Sequence, residues 1–189
     1  MANVITQFDP ALDPELLKRS YKVLIPLLKV ITWDSAESTI IVPEVLPDCD
    51  VCPTHDMIIV EYNKLILEKE KEIVMKELME VCDLKQNAIQ DYLLGYKSTP
   101  MQLQRYIDKY DRALAGTGSW DEDENNRIIQ NHEYFQANLR HFIDLIEAFR
   151  MPADDLIIAG ELDKLRAMFP IVREFGLETT KEDIEALFV

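Results

Sequence analysis

Apolar residues recur at helical spacing along most of the chain, and the exceptions are concentrated in the first third. Asp13-Pro14 opens the first helical pattern: a carboxylate that accepts free N–H groups, then a residue that needs no N–H in the first turn. That helix is expected to run to about Leu24, because Pro26 removes a backbone donor. Residues 28–33 and 39–42 are rich in β-branched and aromatic residues, with the polar run Asp34-Ser35-Ala36-Glu37-Ser38 between them, which predicts a small β-hairpin. Two strands alone are marginal in water, so the hairpin is expected to lie on helices or on another subunit. Pro43, Pro47 and Pro53, with Asp48 and Asp50, mark a loop over 43–55. The expected division is therefore a region 1–55 with a helix, a hairpin and this loop, followed by a helical domain 56–189.

From residues 54–56 a long helix is expected to reach about Cys82. Val60, Leu67, Val74, Leu78 and Val81 lie at spacings of 7, 7, 4 and 3, one stripe of a helix. A second segment over 84–94 ends at Gly95. Thr99 before Pro100 is the clearest helix start in the chain, and Leu103, Ile107, Tyr110 and Leu114 follow at 4, 3 and 4 until Gly116. Ser119 with Glu122 fits a capping box for the next helix. There Ile128, Phe135, Leu139, Phe142, Ile146 and Phe149 form a heptad-like seam, expected to stop at Pro152 and to be the main packing surface of this half. A helix over 154–169 ending at Pro170, and a last short one capped by Thr180, complete the pattern. The fold class is mainly α, with antiparallel helical hairpins or a bundle and a small N-terminal β-hairpin element.

Charge narrows the function. Twenty basic against 35 acidic residues give a net charge of −15, which opposes binding to a nucleic-acid backbone or to an anionic membrane surface. Met1-Ala2-Asn3-Val4 carries no basic start followed by an apolar run, so no secretory signal is expected. The longest apolar stretch, over 23–30, is too short to span a bilayer.

Candidate chemistry is sparse. Cys49, Cys52 and His55 form C-x2-C-x2-H, three zinc-type ligands, with Cys82, His132 or His141 as the available fourth. Zinc modules show a second ligand pair at recognisable spacing, and none is present, so reduced thiols and a loop histidine are expected. A redox pair lacks its βαβ context. His132 and Glu133 do not complete H-E-x-x-H, because Gln136 stands at the last position. His132 and His141, nine residues apart, share no face well and are expected at the surface or in the seam. Asp121, Glu122, Asp123 and Glu124 suit a helix N-terminus and lack the glycine of a calcium loop. No Gly-rich phosphate loop and no G-x-S-x-G occur. No catalytic, cofactor or metal residue is assigned, and the chain is expected not to be an enzyme.

Glu68-Lys69-Glu70-Lys71-Glu72 through Met79, followed by KQNAIQDYLLGYKSTPMQLQRYIDKYDRALAG over 85–116, resembles the charged helix, bend and second helix of small proteins encoded beside the tail and tail-fibre genes of tailed bacteriophages. The resemblance covers about 50 of 189 residues and implies a structural or assembly protein, made in the host cytoplasm and carried in the virion. Its partners are expected to be proteins, other subunits of an assembly among them, with neither nucleic acid nor membrane. Tyr106, Tyr110, Phe135, Phe142 and Phe149 are the expected interaction residues, Tyr106 and Tyr110 as exposed anchors. The alternative is an acidic inhibitor that mimics nucleic acid and blocks a nucleic-acid enzyme.

Overall fold

The computed structural model describes residues 3–43 and 53–189. It is mainly helical, with a small antiparallel sheet at the N-terminus. The chain divides into two compact units, residues 1–72 and 73–189. Cys49 and Cys52 lie outside the described residues, as does most of the proline-rich segment.

In the first unit, β1 (Asn3–Gln7), β2 (Thr32–Asp34) and β3 (Thr39–Pro43) form an antiparallel sheet in the order β1-β3-β2. The expected hairpin is thus two strands of three. Its second strand is central, with Ile41 opposite Ile5 on one side and Thr32 on the other. The short run at 3–7 was not legible as a strand, because five residues carry little pattern until a neighbour pairs with them. Ile40 and Val42 face inward, packing with Leu17 and Tyr21 of α1 (Pro14–Leu24). Asp13 caps α1, accepting from the N–H of Glu15 at 2.9 Å, while its own N–H donates to the Tyr62 hydroxyl at 2.9 Å. The helix ends where expected: Ile25, the residue before Pro26, has left helical geometry at φ −133°.

Ile58 and Tyr62 bring the start of α2 (His55–Leu94) into that same core, so the division falls inside a helix at residues 72 and 73. α2 runs unbroken through Cys82, correcting the expected break before Leu84: no Pro or Gly lies between Asp56 and Leu94. The stripe is also corrected. Val74, Leu78 and Val81 are buried in the second unit, whereas Val60 is 55% and Leu67 37% exposed.

α3 (Pro100–Leu114), α4 (Glu122–Ala159), α5 (Leu162–Arg173) and α6 (Lys181–Glu185) complete the second unit. Pro152 and Pro170 sit inside α4 and α5, not at their ends. Each removes one backbone bond, but Phe149 and Ala153 around the first, and Phe169 and Val172 around the second, are buried and hold the chain helical across it. α4 stops at Gly160 (φ +81°), whose left-handed turn lets the N–H of Glu161 reach the carbonyl of Leu156 at 2.9 Å. α5 runs parallel to α2: Arg166 bonds Glu77 at 2.9 Å and the carbonyl of Arg173 accepts from Lys85 Nζ at 2.8 Å. The main core lies among α2, α4 and α5, with Phe142, Phe149, Leu78 and Leu165 fully buried. Among the described residues, no helix is long and apolar enough to cross a membrane.

Candidate functional site

α3 and α4 form an antiparallel hairpin, since Tyr110 meets His132 while Tyr106 meets Phe135. Local chemistry sets where it begins. Ser98 donates to Asp91 Oδ1 from both its N–H and its hydroxyl at 2.9 Å, and the backbone bond, then the hydroxyl bond, holds that carboxyl below its usual range. Thr99 and Gln102 then complete a capping box, the N–H of Thr99 donating to Gln102 Oε1 at 2.9 Å.

The tip of the hairpin is built around Trp120. Its ring lies 5.0 Å from the Arg112 guanidinium and 5.7 Å from Lys109 Nζ. Gly118 leaves room for the indole, because a Cβ there would fall onto the ring. The cap of α4 is Asp121, which accepts from the N–H of Glu124 at 2.8 Å, and not the expected Ser119. Glu124 pairs with Arg127 and, at 3.9 Å, with Lys109; Asn125 donates to the carbonyl of Ala113 at 3.0 Å. The acidic run thus serves a helix start and ties α4 to α3.

Behind the tip lies His132, 2% exposed. Its ring stacks on Tyr110 at 3.7 Å and 12°, and on Tyr106 at 5.3 Å and 30°. Phe135 meets Tyr106 edge-on at 5.4 Å. Nε2 lies 2.7 Å from the amide nitrogen of Gln136, and Nδ1 is buried without a hydrogen-bond partner. Burial lowers the histidine pKa, against the opposing pull of Asp111 and Glu133, and raises that of the Tyr106 hydroxyl, with Tyr96 adding to the rise.

The five expected interaction residues therefore separate. Tyr106, Tyr110 and Phe135 come together in the hairpin; the two tyrosines are half-buried against His132 and so are not freely exposed anchors. Phe142 and Phe149 are fully buried in the main core, Phe149 edge-on to Phe175 at 6.3 Å, which takes both off the surface. Of the two alternatives expected for His132, the surface and the seam, the structure places it in the seam; Trp120 was missed. His132 was legible: it follows Ile128 by four and precedes Phe135 by three, on the seam itself.

Two outer surfaces remain. Leu103, Ile107 and Leu114, at spacings of 4 and 7, run beside the face that carries Tyr106, Tyr110 and Ala113. Leu103 and Ile107 are half-buried and Leu114 is 57% exposed. A shallow groove of about 450 Å³ is lined by Tyr96, Gln102, Arg105, Tyr106 and Lys109. His55, the one described member of the C-x2-C-x2-H pattern, stacks on Phe8 at 5.1 Å. Among the described residues, no three His, Cys, Asp or Glu side chains are grouped to hold a metal ion. No family model, no curated protein and no solved structure matches the chain.

Proposed function

We propose that the chain is a non-enzymatic, acidic protein-interaction or structural subunit whose α3–α4 hairpin docks on a protein partner, other subunits of a phage tail or virion among them. The observation that carries this reading is the stripe of Leu103, Ile107 and Leu114, apolar side chains beside a two-helix packing face with water on their outer side. Aliphatic side chains at this spacing are what a partner helix or groove takes up. The net charge of −15 favours a basic partner surface, with charge setting encounter rate and selectivity while apolar contact sets residence time. The resemblance of residues 68–116 to tail-associated phage proteins supports the same class. Two acids of the hairpin speak against the nucleic-acid mimic, since Asp121 is used in capping and Glu124 in pairing with Lys109 and Arg127.

The test is a variant with Ile107→Glu and Leu114→Glu, followed by mass spectrometry of assembled particles and a melting curve. The expected result is an unchanged melting temperature with loss of the protein from the particles. Normal incorporation of the folded variant would overturn the assignment of this stripe.

A further inference from the structure

We infer that His132 is a latch that holds α3 on α4 most firmly while its ring is neutral, so that mild acidification loosens α3 and uncovers Tyr106, Tyr110 and Phe135 more often. The inference concerns the docking of α3 and stands whether or not the hairpin binds a partner.

Geometry carries it. The ring is 2% exposed, covered on its face by Tyr110 and Tyr106 of α3, so a charge on it has almost no water. An amide nitrogen only donates, so the Gln136 nitrogen 2.7 Å away makes Nε2 the acceptor and leaves the ring proton on Nδ1. That arrangement satisfies Nε2 only in the neutral ring, with Nδ1 lacking a partner in either state. A proton arriving at Nε2 sets two donors against each other, and Nδ1 offers no escape, having no acceptor of its own. Turning the Gln136 amide over would supply one acceptor and still leave Nδ1 bare.

Four groups oppose the effect: Asp111, Glu133, Tyr106 and Tyr110. Asp111 on α3 and Glu133 on α4 favour the cation, but neither forms an ion pair with the ring among the described residues. The tyrosine faces also attract a cation, against the loss of hydration that burial imposes. Burial leaves the docked histidine with a lowered pKa, as described above. The released histidine titrates near the ordinary value of about 6.5. Docking is therefore fully supported above that value and weakens as pH falls from it towards the lower docked pKa, below which the dependence ends. Release exposes the rings because the hairpin is not part of the main core: Phe142 and Phe149 belong to that core, while Phe135, Tyr106 and Tyr110 do not.

The test is hydrogen exchange on the full chain at pH 7.5 and pH 5.5, corrected for intrinsic rates, in the wild type, His132→Phe and His141→Gln. Phenylalanine keeps the stacking, and Gln136 is exposed and finds water. The expected result is a loss of protection over α3 at the lower pH, of up to about tenfold, the ceiling set by one pH unit on a single proton. It should appear in the wild type and in His141→Gln, not in His132→Phe, and not over α5. Equal protection at both pH values, or an equal loss in His132→Phe, would overturn the latch. Should His132→Phe fail to fold, ring resonances of the wild type decide. Protonation of His132 together with loss of its contact to Tyr110 supports release, and protonation with that contact intact refutes it.

Discussion

The imidazole of His132 lies flat on the phenol of Tyr110, with 3.7 Å between ring centroids and 12° between their planes. The pair joins α3 to α4 together with the Tyr106–Phe135 contact and the Lys109–Glu124 ion pair. Replacing Tyr110 by Ala should therefore destabilise the hairpin by about 1–3 kcal/mol, the ordinary range for losing a packed side chain. Hydrogen exchange should show the loss over α3, with α5 unchanged. A uniform loss across the second unit would mean that the hairpin and the core unfold as one.

Phe142 and Phe135 share a seam but not a surrounding. Phe142 is fully buried in the main core, while Phe135 keeps 6% exposure within a two-helix layer. Phe142→Ala should cost about 3–5 kcal/mol and Phe135→Ala clearly less, because the thinner layer can close around the gap. Denaturant titrations of both variants would check the order.

Gly118→Ala should displace Trp120. The added Cβ falls onto the indole, so the ring must leave Arg112 and Lys109. The cost should be about 1 kcal/mol for the lost cation contacts, with a change in Trp120 emission measured in a Trp33→Phe background. Unchanged emission would show that the loop moves and the ring does not.

Thr99→Ala removes one arm of the capping box at the start of α3 and should cost about 1 kcal/mol. Thr99→Ser should restore most of it. The turn before it depends on pH through Asp91, whose folded pKa is lowered by its bonds to Ser98. Its contribution is present above the ordinary carboxylate range and is lost as pH falls through the lowered value, so acid should loosen this turn.

Cys82 is 3% exposed, and burial pushes its thiol pKa up to about 11. The thiolate is the reactive form, so a maleimide or disulfide reagent at pH 8 should leave Cys82 unmodified in the folded protein and label it after denaturation. Peptide mapping separates it from Cys49 and Cys52. Rapid native labelling at Cys82 would indicate an opening of the core between α2 and α4.

Three helix starts were readable in the chain because their chemistry is local, whereas the cap of α4 is Asp121 and not Ser119. A cap needs only an oxygen within three residues of a free N–H, and Asp13, Thr99 and Thr180 provide it as their neighbours promised. Spacing likewise made the mainly helical class and the seam from Ile128 to Phe149 legible. What covers a side chain is not local, and there the tertiary structure decided. Val60 and Leu67 share a stripe with Val74 and Leu78, yet only the latter two are buried. Pro152 and Pro170 stay within helices because buried neighbours on both sides offset one missing hydrogen bond each. His132 became an interior residue because two tyrosines from another helix lie over it, while Phe142 and Phe149 went into the core and left the hairpin to smaller contacts. Periodicity along one helix states which side chains share a face; only the partner element determines which of those faces lose their water.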